Sequence, residues 1–218
     1  MRYRLIILDW DGTLMDSAPR IVDCMQRAAV DIGWAPLSAE AVRDIIGLGL
    51  PEAIARLCPG ITTAQADNLR RCYSERFVAA ETRGVPMPFF EGIESGIAQL
   101  REWPEQQLAV ATGKSRRGLD RILESTGSAA WFDATRTADM TRSKPDPLML
   151  RELLDELHVP VEEAVMIGDS EYDLSMAKQL GMARIGVSWG VHDRARLEAH
   201  APLWMADDPA TMFDWLCQ

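Results

Sequence analysis

The 218-residue sequence is short of several things that mark other classes of protein. It has four cysteines, Cys24, Cys58, Cys72 and Cys217, and none forms a C-x-x-C pair, so the spacing of a structural zinc site or redox pair is missing. Scattered single cysteines fit reduced, buried thiols of a cytoplasmic protein. Histidine is scarcer still. His158, His192 and His200 lack metal-ligand spacing and are expected at the surface. Lys and Arg number 23 against 33 Asp and Glu, a formal net charge of −10. That deficit argues against a nucleic-acid partner, which would need clustered cations. It also means that an anionic ligand needs a local positive site instead of a global field. No apolar run is long enough to span a membrane. No apolar signal-peptide core precedes the first predicted strand, and neither repeats nor low-complexity tracts occur. The expectation is a cytoplasmic chain that engages neither membrane nor nucleic acid.

What is present is a hydrophobic content of 47% and a charged content of 26%, which suit one sizeable domain or a main domain with a smaller insert. The chain is organised around its start. Leu5-Ile6-Ile7-Leu8 is a continuous apolar run, the pattern of a strand buried on both faces of a parallel sheet. It ends in Asp9-Trp10-Asp11, and Gly12-Thr13 break the strand. With a period of two, Asp9 and Asp11 can share a side. Carboxylates that close repel each other, and a hard cation such as Mg2+ relieves the repulsion.

From Ala18 to Arg83 the period becomes helical. Ile21, Val22, Met25, Ala28, Ala29 and Ile32 form one face, ended by Gly33. Ser38 opens a second helix running to Ile46, Gly47-Leu48-Gly49 interrupts it, and Pro51 suits the first turn of a third. Thr62 caps a long helix. Without a convincing strand, this region reads as a helical bundle inserted after the first strand. Arg83 to Pro88 is the return linker. Strands are then predicted at Leu108–Ala111, Phe132–Ala138, Ala164–Ile167, Ala183–Val187 and, at an edge, Pro202–Met205. Helices fall between them. This alternation predicts an α/β fold with a mostly parallel, Rossmann-like sheet.

Four strand ends or strand-helix junctions carry polar groups: Asp9/Asp11, Thr112, Lys144 and Asp169/Asp173. The carboxyl ends of parallel strands share one edge of the sheet, so these can meet. Together they suit phosphoryl transfer. Asp9 can act as nucleophile and Asp11 as proton donor and then base. Thr112 and adjacent amides can hold a phosphoryl group near a helix N-terminus. Lys144 can offset negative charge, and Asp169 can complete a Mg2+ site with Asp9.

The run Asp9-Trp10-Asp11-Gly12-Thr13 resembles the first motif of the haloacid dehalogenase-like hydrolase superfamily, and Leu14-Met15-Asp16-Ser17 resembles its phosphoglycolate phosphatase-like branch. Val110-Ala111-Thr112-Gly113, Lys144-Pro145 and Gly168-Asp169-Ser170-Glu171-Tyr172-Asp173 are similar to the second, third and fourth motifs, so the likeness covers nearly the whole chain. The resemblance implies a Rossmann-like core over residues 1–15 and 87–218 and a helical cap over 16–86. It implies catalysis by Asp9, Asp11, Thr112 and Lys144, and phosphate binding by Gly12, Thr112, Gly113 and Lys144. Mg2+ would be held by Asp9, Asp169 and the backbone carbonyl of Asp11, with Asp173 secondary. Gly113 stands where relatives often carry Asn, which leaves backbone contacts there. A loop near Gly47-Leu48-Gly49 faces the substrate in relatives. Arg20, Arg43 and Lys114 are candidates for a second anionic group, with a surface charge the plainer reading of each. The Met and Trp residues are expected in the core or cap interface.

The implied activity is Mg2+-dependent hydrolysis of a small phosphorylated metabolite through an aspartyl-phosphate, 2-phosphoglycolate being the first substrate to consider, by a monomer or homodimer. The alternatives are a sugar-phosphate mutase or other phosphotransferase of the same superfamily, a dehalogenase, and a non-catalytic phospho-accepting signalling module. Asp11 and the fourth-motif acids speak against the dehalogenase. The helical insert and Asp11 speak against the signalling module.

Overall fold

The computed structural model describes residues 3–84 and 87–218. Val85 and Pro86 of the expected linker, and Met1 and Arg2 of the expected core, lie outside the described residues. Strand β1 (Leu5–Leu8) is buried along its whole length. It pairs in parallel with β2 (Gln107–Thr112) on one side and β4 (Ala164–Gly168) on the other. With β3 (Ala134–Thr137), β5 (Ala183–Val187) and β6 (Trp204–Ala206) the sheet reads β3-β2-β1-β4-β5-β6, parallel throughout. β3 is shorter than the stretch expected from the sequence. β6 lies two residues later than Pro202 and one beyond Met205.

The continuous apolar run in β1 is explained by two cores. Ile6 and Leu8 join one apolar cluster with Val110, Ile167, Ile97 and Phe213, while Leu5 and Ile7 join the other with Ala109, Met166, Leu150 and Met176. Side chains alternate across the sheet, and helices cover both faces. Trp10 continues the Leu8 side and is fully buried, edge-on to Phe89 and Phe132 at ring distances of 5.9 and 6.1 Å. Its bulk fills a core position.

The first four helices after β1 are α1 (Ala18–Asp31), α2 (Ala39–Asp44), α3 (Leu50–Leu57) and α4 (Thr63–Thr82). Their apolar faces form a separate cluster around Met25, Val42, Ile54 and Leu69. Thr62 and Gln65 form a reciprocal capping box at the start of α4, satisfying amides that a helix end otherwise leaves open. α2 ends at Asp44, short of the expected Ile46, because the chain turns there into the loop 45–49. After α5 (Ile93–Arg101) come α6 (Arg116–Thr126), α7 (Leu148–Leu157), α8 (Glu171–Gln179), α9 (Arg194–Glu198) and α10 (Pro209–Leu216).

The loop 45–49 rests directly on the sheet's carboxyl edge. A Cβ on Gly113 would lie 2.5 Å from the Leu48 carbonyl oxygen and 2.6 Å from that of Gly47, and one on Gly47 would lie 2.9 Å from Ser170 Oγ. The Gly49 N–H donates to Ser143 Oγ at 2.7 Å. Beside the loop, Asp44 is tied to the sheet side. Arg196 reaches its carboxylate at 2.5 Å, and the Tyr172 hydroxyl donates to its carbonyl at 2.7 Å.

Two expectations about burial need correction. His192 is buried: its Nδ1 accepts from the Glu171 N–H at 3.0 Å and its Nε2 faces the Asp44 carbonyl at 3.2 Å. That is the pattern of a neutral imidazole, and burial with the nearby Arg196 charge holds its pKa below the ordinary value. Of the four thiols, all free, Cys24 and Cys58 are buried but Cys72 and Cys217 are only half-buried. Helix α9 was not legible beforehand. It has five residues and buries only Leu197, so no apolar period can announce it.

The sheet face that carries the return of the chain is closely packed. A Cβ on Gly96 of α5 would lie 1.9 Å from the Phe213 ring of α10. Gly96→Ala would gain roughly 1 kcal/mol of helix propensity but force the ring to move, an overpacking cost of about 1–3 kcal/mol. Chemical denaturation is expected to show a net loss of stability. A variant more stable than the parent would contradict this packing.

Candidate active site

Asp9 follows directly on β1, and its N–H donates to the Ile167 carbonyl of β4 at 3.0 Å, so the sheet itself fixes its position. Its side chain falls on the Leu5/Ile7 side of the sheet. There Lys144, fully buried, sits between two carboxylates, with Nζ 2.7 Å from Asp9 Oδ1 and 2.6 Å from Asp173 Oδ1. Asp173 lies in the first turn of α8. Its other oxygen accepts from the Ser170 N–H at 3.1 Å and from Ser170 Oγ at 2.6 Å. Both Asp173 oxygens are therefore engaged, and this residue holds the ammonium in place.

Asp169, at the end of β4, is equally well oriented. Thr13 Oγ1 donates to its Oδ1 at 2.8 Å and the Val191 N–H to its Oδ2 at 2.8 Å. Gly12 makes room for it. With φ of 84°, a Cβ there would lie 2.2 Å from Asp169 Oδ2, so both the backbone angle and the close approach require glycine.

Asp9 differs from both. Among the described residues, Oδ1 has only the charge contact with Lys144, not aligned as a hydrogen bond, and Oδ2 is buried without a partner. Asp9, Asp169 and Asp173 each offer an oxygen within 4.8 Å of the others. Three buried carboxylates against one ammonium leave two negative charges unbalanced if all are ionised. A buried charge of that kind is costly unless paired or metal-bound. Burial pushes the Asp9 carboxyl well above the usual carboxylate range, with the Asp173 and Asp169 charges adding to it and Lys144 opposing. Burial and the Asp173 charge push Asp169 up to about 7. For Lys144, burial alone would lower the pKa, but the Asp173 and Asp9 charges outweigh it and raise it, so it stays an ammonium. An all-oxygen donor set, an unpartnered buried oxygen and a two-charge deficit fit a hard divalent cation.

Asp11 turns elsewhere. Ser17 Oγ donates to its Oδ1 at 2.5 Å, and Lys114 Nζ lies 2.8 Å from the same oxygen. The strand period does not carry through, because the chain leaves β1 at Leu8 and Gly12 turns it. Asp9 and Asp11 thus have different neighbours. Thr112, buried at the end of β2, accepts from the Lys114 N–H at 3.2 Å, and α6 begins four residues further on, capped by Ser115. Asp9, Lys144, Asp169 and Asp173 therefore form one buried cluster, with Gly12 and Thr13 against it. Thr112, Gly113 and Asp11 stand beside it, linked through Lys114.

Of the candidate cations, Arg43 is exposed as a surface charge would be. Arg20 and Lys114 are not. Arg20 is buried with its guanidinium 5.4 Å from the Phe77 ring centre. Lys114 lies over the same ring at 5.1 Å as well as on Asp11. Asp11 and Lys114 open into a cavity of about 620 Å3 whose walls include Tyr73 and Phe77 of α4. The sequence marked this helix by its cap and its apolar residues. That Tyr73 and Phe77 line a cavity had no separate signal.

The family model described as haloacid dehalogenase-like hydrolase matches residues 6–187. A protein of Dickeya dadantii named "Probable phosphatase IndB" is 34% identical over 93% of this chain and 89% of its own length. A phosphoglycolate phosphatase of Rhodospirillum rubrum is 29% identical over 98% of this chain and 90% of its own. Among solved structures, a hydrolase from Pseudomonas syringae superposes with a TM-score of 0.84 at 21% identity, covering 97% of each chain. That likeness concerns the fold.

The raised carboxyl pKa values carry a sign. A carboxyl whose pKa rises on folding contributes stability below its unfolded value, about 4. That contribution is lost as pH climbs through the folded value, about 7 for Asp169. With chelator present, the stability of Asp169→Asn relative to the parent should therefore shift in the variant's favour between about pH 5 and about pH 8. Thermal melts at the two pH values check this. No shift, or one of opposite sign, would contradict the charge frustration argued for the cluster.

Proposed function

Because the chain belongs to the haloacid dehalogenase-like hydrolase family, we propose that it is a Mg2+-dependent phosphoric monoester hydrolase working through an aspartyl-phosphate. The observation that carries this reading is the Asp9 carboxylate: buried, fixed by the sheet, facing Lys144 through one oxygen and left without a partner among the described residues at the other. A structural carboxylate at such depth would be satisfied on both oxygens. An unsatisfied one suits a nucleophile.

In the first half-reaction Asp9 attacks phosphorus, an Asp9–phosphorus bond forms and the bond to the ester oxygen breaks. Asp11 gives its proton to the departing alkoxide. In the second, Asp11 takes a proton from water as the water attacks phosphorus, and the carboxylate of Asp9 is released with inorganic phosphate. Lys144, held by Asp173, offsets charge on Asp9 and on the phosphoryl oxygens. Gly12, Thr112, Gly113 and the amides leading into α6 surround the phosphoryl group. Asp9, Asp169 and the Asp11 carbonyl would hold Mg2+. Bound there, the ion would neutralise phosphoryl charge and relieve the repulsion among the buried carboxylates.

In this reading residues 16–86 are a cap over a core of 1–15 and 87–218. The contacts of loop 45–49 with Gly113, Ser170 and Ser143 support a closed arrangement that would exclude bulk water. The relatives named phosphoglycolate phosphatase make 2-phosphoglycolate the first metabolite to assay.

Asp9→Asn is expected to abolish both steady-state phosphate release and acid-stable protein-bound phosphate in single-turnover experiments. Asp11→Asn should retain phosphoryl transfer from an activated ester but lose about 10²–10⁴-fold in rate with an alkyl ester. Turnover near the parent's in Asp9→Asn would overturn the nucleophile, and an unchanged alkyl-ester rate in Asp11→Asn would overturn the acid/base.

A further inference from the structure

The cavity beside Asp11 is large for a two-carbon hydroxy acid. Its volume of about 620 Å3 equals roughly twenty waters at ~30 Å3 each, and it lies within the ~300–1,000 Å3 of clefts that enclose drug-sized ligands. It opens on Asp11, the group placed to protonate the leaving oxygen, so whatever fills it is the alcohol half of the ester.

Its walls are apolar and partly aromatic. Ile21 and Met25 come from α1, Ile45 and Leu48 from the loop that closes on Gly113, and Tyr73 and Phe77 from α4. The two rings lie 5.8 Å apart at an interplanar angle of 49°. Lys114 and Arg20 approach the Phe77 ring at 5.1 and 5.4 Å. The Tyr73 hydroxyl has no hydrogen-bond partner among the described residues, which leaves it one polar handle for a ligand. Burial first, and then the Asp11 charge, keep it protonated.

A carboxylate such as that of glycolate would need a cation here. Three of the four cations lining the cavity are engaged. Lys114 has Asp11, Arg71 has Glu75 and Arg121 has Glu81, at 2.8, 2.9 and 3.4 Å. The fourth, Arg117, is exposed to solvent. An apolar wall facing a small, charged leaving group would stay wet, with its hydrophobic contribution unused.

We propose that the physiological leaving group is a bulky, ring-bearing primary alcohol packed against Tyr73 and Phe77, in preference to a two-carbon hydroxy acid. This rests on the phosphatase reading given above and adds its substrate class. Shape and apolar contact select the substrate, and the phosphoryl machinery is indifferent to it.

The test compares kcat/KM in Mg2+ for 2-phenylethyl phosphate, ethyl phosphate and 2-phosphoglycolate, with acetyl phosphate as a phosphoryl donor that makes no demand on the cavity. The first two release alcohols of similar acidity, so they differ in the ring alone. The expected result is that 2-phenylethyl phosphate exceeds both other esters at least tenfold. Phe77→Leu should cut the ratio of phenylethyl to ethyl phosphate at least threefold. Equal or better hydrolysis of ethyl phosphate or 2-phosphoglycolate, with acetyl phosphate turned over, overturns this substrate class and leaves the phosphatase reading standing. An unchanged ratio in Phe77→Leu overturns the aromatic wall as its cause. No phosphate from any of the four overturns the phosphatase reading and this proposal with it.

Discussion

One ammonium among buried carboxylates governs this structure. Lys144 sits between Asp9 and Asp173 at 2.7 and 2.6 Å, with Asp169 completing the cluster. A lone charge at that depth would be neutralised by its own pKa shift. Here the lysine stays charged because its partners outweigh its burial, while Asp9 and Asp169 are driven towards the protonated form. The cluster is satisfied on the lysine side and frustrated on the carboxylate side. Frustration of that kind is stored where a further cation or a reacting group is meant to enter.

The sheet makes such an arrangement sustainable. β1 is central, flanked by β2 and β4, and its two faces are sealed by separate apolar cores. Asp9 and Asp169 leave adjacent strands at the same edge, and Asp173 follows one helical turn later, so the backbone fixes where the three carboxylates meet. Glycine permits the close fits. Gly12 yields to Asp169, and Gly113 yields to the loop carbonyls of Gly47 and Leu48. The same loop that packs on Gly113 also supplies part of the apolar wall beside Asp11.

Much of this was legible beforehand because it is periodic or punctuated. Leu5–Leu8 declared a strand buried on both faces, and the acids that follow it declared the sheet edge. The helices from Ala18 onward declared themselves by apolar spacing and by caps such as Thr62. What escaped notice has no local signature. Helix α9 is too short for a period. His192 is buried by chain segments remote in sequence, Asp44 and Glu171 among them. The separate surroundings of Asp9 and Asp11 depend on where β1 ends, not on their spacing. The linkage of Asp173 to Lys144 and the cavity wall of Tyr73 and Phe77 are likewise tertiary facts.

The most direct test of the central claim is calorimetric titration of Mg2+ into the protein near pH 6.5, repeated in buffers of different ionisation heat. Deprotonation of carboxylates raised by burial must accompany binding. The account predicts net proton release on binding near that pH, falling as pH rises through the value of about 7 held by Asp169. Binding without proton release near pH 6.5, or no binding at all, would contradict it.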